Sequence, residues 1–139
     1  MMKISRLKVV LDTNVLLVSL PRKSQFRPIF DRLLHGEFDL AISNDIQTEY
    51  EEIIAQRYDA QTVKELFDLF SLLPNVVEVT PYFKWNLIKN DPDDNKFVDA
   101  AVAVGADLLV SNDKHFKILK QIAFPHLTVC RAETFMTYF

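Results

Sequence analysis

The sequence predicts an α/β fold: a central parallel sheet of about five strands covered on both faces by helices, a three-layer α/β/α arrangement. Three observations carry that reading. Short apolar runs alternate with segments of helical periodicity from end to end. Two of the runs, Val9-Val10-Leu11 and Leu108-Leu109-Val110, are apolar at consecutive positions, as strands buried on both faces are. No internal repeat, low-complexity tract or Gly/Ser-rich linker divides the 139 residues, so one domain over 1–139 is expected.

The first strand is read at Leu7 to Leu11, ended by Asp12-Thr13-Asn14. Helical spacing then runs over Phe26 to Leu34, and Phe38 to Ile42 forms a second strand. Asp45 to Arg57 and Gln61 to Leu72 read as helices, and Val76 to Val79 as the third strand. The stretch from Thr80 to Pro92 is the longest irregular one, with Pro81 and Asn90-Asp91-Pro92 marking turns and not a domain boundary. A helix over Asp93 to Val104 leads to the strand Leu108 to Val110. A helix over Lys114 to Gln121 and a last strand over Leu127 to Cys130 complete the pattern.

Composition narrows the function. The chain is 49% hydrophobic and 25% charged with a formal net charge of −3, which is ordinary for a globular protein and gives no global attraction to nucleic acid. Binding a polyanion therefore requires a local basic patch or a metal that reverses the sign of the site. Gly36 and Gly105 are the only glycines, too few for a P-loop or a dinucleotide fingerprint. Cys130 is the sole cysteine, which excludes an internal disulfide and suits the cytoplasm; it reads as a small apolar strand residue. The start, Met1-Met2-Lys3-Ile4-Ser5-Arg6, lacks the form of a signal peptide. No apolar run approaches the roughly 20 residues that span a bilayer, so no membrane association is expected.

The acidic residues sort by position. Sites in open parallel sheets form at the carboxyl ends of the strands, near the reversal of strand order. Asp12 closes the first strand and Asp113 follows the fourth through Ser111-Asn112, whereas Asp39 and Asp107 open strands and belong at the opposite edge. Glu49 lies three after Ile46 and four before Ile53, on the inward stripe of its helix. An inward carboxylate needs a partner. Asp94 precedes Phe97 by three and Val98 by four, which extends the apolar stripe into the first turn. Asp99 falls well round that helix and is expected in solvent.

Helices of right-handed crossovers begin at the carboxyl edge, so Asp12, Glu49, Asp94 and Asp113 can meet there. Each of Asp12, Asn14, Asp94 and Asp113 has a plain alternative as a helix cap or first-turn charge; the convergence of four acids is what points to a cation. Oxygen ligands favour Mg2+, with Mn2+ as the alternative.

At these residues the chain resembles the PIN-domain family, a Rossmann-like fold of metal-dependent nucleases. The matching pieces, in the family's order, are Val9-Val10-Leu11-Asp12-Thr13-Asn14-Val15-Leu16, then Ala41-Ile42-Ser43 leading to Glu49-Tyr50-Glu51-Glu52. Asp91-Pro92-Asp93-Asp94-Asn95-Lys96-Phe97-Val98 follows, and then Gly105 through Asp113. The resemblance implies catalytic, metal-binding acids at Asp12, Glu49, Asp94 and Asp113, with supporting polar residues at Asn14 and Ser111. Ser111 stands where threonine is more usual and keeps the hydroxyl. Asp91 and Asp93 compete with Asp94 for the third position, and helical phase favours Asp94.

The Asp-Pro-Asp-Asp-Asn form resembles the branch described as toxins of toxin–antitoxin systems. It implies a magnesium-dependent endoribonuclease with an RNA substrate, and admits an antitoxin partner and a homodimer. Lys114 and His115 are candidate RNA contacts. Lys117 and Lys120 continue the helical spacing of Lys114, although a solvated face explains that triplet equally well. Two other functions stay open: an aspartyl-phosphate-type phosphohydrolase, disfavoured because position 14 is Asn where a second Asp is usual, and a catalytically inactive PIN-like interaction domain.

Overall fold

The computed structural model describes residues 6–139; the start read above as lacking a leader, Met1 to Ser5, lies outside the described residues. Five parallel strands make one sheet: β1 (Leu7–Leu11), β2 (Phe38–Ile42), β3 (Val76–Glu78), β4 (Leu108–Val110) and β5 (Val129–Cys130). Their order is β3-β2-β1-β4-β5. The chain therefore builds outward from β1 in one direction, returns, and builds outward in the other. The reversal falls between β1 and β4, which pair Val9 with Leu108, Val10 with Leu109 and Leu11 with Val110.

Helices flank the sheet: α1 (Thr13–Ser19), α2 (Arg27–Leu34), α3 (Asn44–Arg57), α4 (Ala60–Leu72), α5 (Asn95–Val104) and α6 (Ala132–Met136). Val9, Val10, Leu109 and Val110 are wholly buried, and α5 packs across β1, β2 and β4. Full burial of such side chains stabilises by roughly 1.5–3 kcal/mol each. Ser43 starts α3 by accepting the Ile46 N–H at 3.2 Å. Gly105 ends α5 with φ of 65°, a left-handed residue that lets Ala106 N–H reach Ala101 O at 2.8 Å. Among the described residues, no helix is long and apolar enough to cross a membrane.

The elements differ from the sequence reading in physically legible ways. The unread α1 buries Val15, Leu16 and Leu17 together, so it shows no polar face for periodicity to detect. The unread α6 has five residues, too few to display a period; it buries Phe135 edge-to-face on Phe38, with centroids 5.1 Å apart. The edge strands are shorter than read, β3 ending at Glu78 and β5 starting at Val129. Pro92–Asp94 forms a 3₁₀ turn, so α5 itself begins at Asn95. Lys114–Gln121 is also 3₁₀ and not α. With three residues per turn, Lys114, Lys117 and Lys120 stand in one column.

Candidate metal centre

Asp12 follows β1 and Asp113 follows β4, so these two acids sit on either side of the point where strand order reverses. The strand ends themselves hold them there. Asp12 N–H donates to Val110 O at 3.0 Å, and Ser111 N–H to Cys130 O at 2.9 Å. Buried Ser111 then couples the two acids: its hydroxyl donates to Asp12 Oδ2 at 2.7 Å and accepts the Asp113 N–H at 2.9 Å. Asp113 in turn accepts the His115 N–H at 2.8 Å, the helix-start role weighed for it above.

Glu49 arrives on α3. The preceding positions of that helix fasten it to the core, and Tyr50 is fully buried with its hydroxyl donating to Leu11 O at 2.5 Å, one residue before Asp12. Glu49 has the partners an inward carboxylate needs. Thr13 donates its hydroxyl to Glu49 Oε2, and Lys96 Nζ lies 2.8 Å from Oε1. Lys96 also lies 3.1 Å from Asp93 Oδ1, bridging the two acids.

The loop before α5 separates three aspartates that sequence reading left in competition. Asp93 points outward, 70% exposed, toward Lys96. Asp94 turns inward instead, 13% exposed, and Asp91 lies beside it at 43%. Their carboxylates join Asp113 and His115 in a cluster whose possible ligand atoms all lie within 4.8 Å of one another. Asn95 sets that course: buried, it accepts the Ile88 N–H and donates to the carbonyls of Ile88 and Pro92, at 2.9, 2.9 and 3.0 Å. Asp99, expected in solvent, is buried; the loop folds back and Trp85 N–H donates to its Oδ1 at 3.1 Å. Asp39 and Asp107 stand apart, Asp39 paired with Arg6 at 3.0 Å and Asp107 accepting Lys8 N–H at 2.8 Å.

Electrostatics bind the acids into one unit. Burial pushes the Asp94 carboxyl up to about 7, and Asp91, Asp12, Asp113 and Glu49 add to the rise. Burial also raises Asp12, with the Ser111 hydroxyl opposing and Glu49 and Asp113 reinforcing. Burial works against the Lys96 charge, yet Glu49 and Asp93 hold its ammonium above the ordinary range. The neighbouring Glu49 and Lys96 hold the Asp93 carboxyl below the usual carboxylate range.

Asp94 Oδ2 is buried without a hydrogen-bond partner. Among the described residues, Lys96 is the side-chain cation within ion-pair distance of these acids, and the His115 imidazole lies 3.2 Å from Asp113 Oδ1. An oxygen-rich donor set, an orphaned carboxylate oxygen and uncompensated repulsion are what a divalent cation would satisfy. The residues present fit one.

Thr13 and Lys96 are site residues that sequence reasoning missed, and Asp91 it left beside Asp93. Asn14, assigned a supporting role by resemblance, is exposed on the first turn of α1. Thr13 is the hydroxyl that reaches Glu49. Lys114 is exposed and His115 lies against Asp113. An open groove of about 530 Å³ runs from His115 past Lys114, Lys117 and Gln121.

The family model described as PIN domain matches residues 8–115. VapBC2 from Rickettsia felis bound to a DNA fragment from their promoter is similar in structure, with 18% identity over 89% of this chain and 98% of that one and a TM-score of 0.61. FitAB bound to the IR36 DNA fragment shares 14% identity over 89% and 94%, TM-score 0.61. DNA-bound VapBC from Salmonella typhimurium shares 14% over 91% and 98%, TM-score 0.57. At these identities the likeness is one of fold. No curated protein sequence matches the chain.

Proposed function

As the chain belongs to the PIN-domain family, we propose that it is a divalent-metal-dependent endoribonuclease, with Mg2+ or Mn2+ as its ion, acting as the toxin of a toxin–antitoxin pair. PIN domains are nucleases. The observation that carries the metal reading is the buried, unpartnered Oδ2 of Asp94, whose carboxyl is pushed up to about 7 by burial and by Asp91, Asp12, Asp113 and Glu49. Asp12, Asp94 and Asp113 would hold the ion, with Glu49 beside them.

When bound, that ion supplies Lewis-acid polarisation of a phosphodiester oxygen and a lowered pKa for attacking water. The chain's own residues do the rest. Ser111 fixes the Asp12 carboxylate by donating to Oδ2, so the acid does not reorient as charge develops. Tyr50 and Thr13 hold the α3 end against β1, and Lys96 neutralises part of the charge of Glu49 and Asp93. Lys114 and Lys117 line the open groove and Lys120 continues their exposed column; together they would follow a phosphate backbone, offsetting the repulsion of a polyanion by a chain of net charge −3.

The toxin role rests on the Asp91-Pro92-Asp93-Asp94-Asn95 pattern and on the fold shared with the VapBC and FitAB structures, which were determined on DNA. It calls for a DNA-binding antitoxin as partner.

The test is cleavage of single-stranded RNA by the purified chain in Mg2+ or Mn2+. The reading expects activity that is lost with a chelator and lost in Asp12→Asn. Equal cleavage by both proteins would defeat it, and cleavage of a small phosphomonoester but not RNA would favour a phosphohydrolase.

A further inference from the structure

The cluster that faces the orphaned Asp94 oxygen is not made of oxygen alone. His115 opens the 3₁₀ segment that follows β4, where the Asp113 cap on its N–H and the wholly buried Phe116 beside it fold the imidazole back over the acids. Its Nδ1 lies 3.2 Å from Asp113 Oδ1, 3.7 Å from Asp94 Oδ2 and 3.8 Å from Asp91 Oδ2. Despite these neighbours Nδ1 makes no hydrogen bond, and it is buried, like the Asp94 oxygen opposite. The Asp113 oxygen nearest to it already accepts the His115 backbone N–H. Two buried atoms, an imidazole nitrogen and a carboxylate oxygen, thus face each other across an acidic pocket, neither with a hydrogen-bond partner.

We infer that His115 is a metal ligand through Nδ1, joining Asp91, Asp94 and Asp113 in a mixed nitrogen–oxygen site that selects Mn2+ over Mg2+. This rests on the divalent-metal reading above and deepens it by adding Asp91 and His115 to the donors named there and by naming the ion. Donors bonded to one ion at about 2.1–2.2 Å stand no more than roughly 4.4 Å apart, and the four ligand atoms already lie within 4.8 Å of one another. Side-chain shifts of a few tenths of an ångström close that gap. Magnesium keeps to hard oxygen ligands, whereas imidazole is a favoured ligand of the transition ions, so one nitrogen in the set tilts the preference.

Loading the full chain with Mn2+ and recording pulsed electron paramagnetic resonance tests the assignment directly. Modulation from a coupled ¹⁴N nucleus is expected in the wild type and is expected to vanish in His115→Gln. His115→Asp, which supplies an oxygen instead, is the companion variant: it binds Mn2+ without the nitrogen signal. Calorimetric titration on the same proteins should show the Mn2+-over-Mg2+ preference falling roughly tenfold or more in both variants. Mn2+ bound to the wild type without nitrogen coupling overturns the ligand assignment and leaves the divalent-metal reading intact. Binding of neither Mn2+ nor Mg2+ by the wild type overturns both. Nitrogen coupling with an unchanged ion preference in His115→Asp overturns the claim of selectivity.

Discussion

Removing one charge from the acid cluster should stabilise this protein when no metal is present. Asp94 is the place to do it, because its carboxyl is held at about 7, not 3.8, by burial and by Asp91, Asp12, Asp113 and Glu49. A carboxyl whose folded pKa lies above its unfolded value favours folding while it is protonated. That contribution is present below pH ~4 and is lost as pH rises through about 7, where the folded site must accept another negative charge. Taken at face value the shift is worth about 4 kcal/mol, and solvent screening of a partly hydrated group reduces it to roughly 1–2 kcal/mol.

Asp94→Asn imitates the protonated acid at every pH. In a chelator at pH 8 it should melt roughly 3–8 °C above the wild type, the difference shrinking toward zero near pH 4. Divalent metal should reverse the ranking. An ion at 100 times its dissociation constant stabilises the wild type by about 2.7 kcal/mol, and the variant, lacking a ligand, should gain little. Thermal melts at pH 4, 6 and 8, with chelator and with Mn2+, give the whole comparison. A variant that melts below the wild type in chelator at pH 8, or that responds to Mn2+ as the wild type does, refutes the argument that Asp94 sits ionised at a cost relieved by a cation.

Other perturbations follow from the same geometry. Ser111→Ala removes the hydroxyl that joins Asp12 to the Asp113 N–H, and should cost roughly 1–3 kcal/mol by urea unfolding together with weakened Mn2+ binding. Asn95→Ala frees the loop that carries Asp91 and Asp94; hydrogen exchange at Ile88 should accelerate, and metal affinity should fall further than stability does. Exchanging Lys117 and Lys120 for Gln should leave Mn2+ binding unchanged while weakening RNA binding. It should also lower the slope of log affinity against log salt by about 1 to 2, as measured by fluorescence anisotropy.

The parts of this protein that local chemistry determines were legible, and those made by distant pairs were not. Apolar runs at Val9 to Leu11 and Leu108 to Val110 mark strands buried on both sides, and the acids that end them fall at the sheet reversal. Helical phase alone placed Glu49 inward, because a stripe shared with Ile46 and Ile53 has one direction in which to face. Thr13 and Lys96 are different. They become partners of Glu49 only when α1, α3 and α5 assemble, across 36 and 47 residues of chain, and neither leaves a local trace.

Asp91 and Asp99 owe their places to the loop between β3 and α5, whose course depends on the three hydrogen bonds of Asn95 and on Trp85 donating to Asp99. Periodicity says nothing about an irregular segment of that kind. The lysine column was visible as a spacing of three, but the 3₁₀ geometry that aligns it was not. The resemblance to PIN domains supplied the order of the acids, and the family match confirms that membership.

The central claim is that the acids at the strand reversal bind a divalent ion and cut RNA with it. One experiment addresses both halves: single-stranded RNA cleavage measured across a Mn2+ titration, for the wild type and Asp12→Asn prepared in parallel. The account predicts that wild-type cleavage rises with Mn2+ over the same concentration range that raises its melting temperature, while Asp12→Asn shows neither effect. Cleavage that is independent of Mn2+, or that persists undiminished in Asp12→Asn, would contradict it.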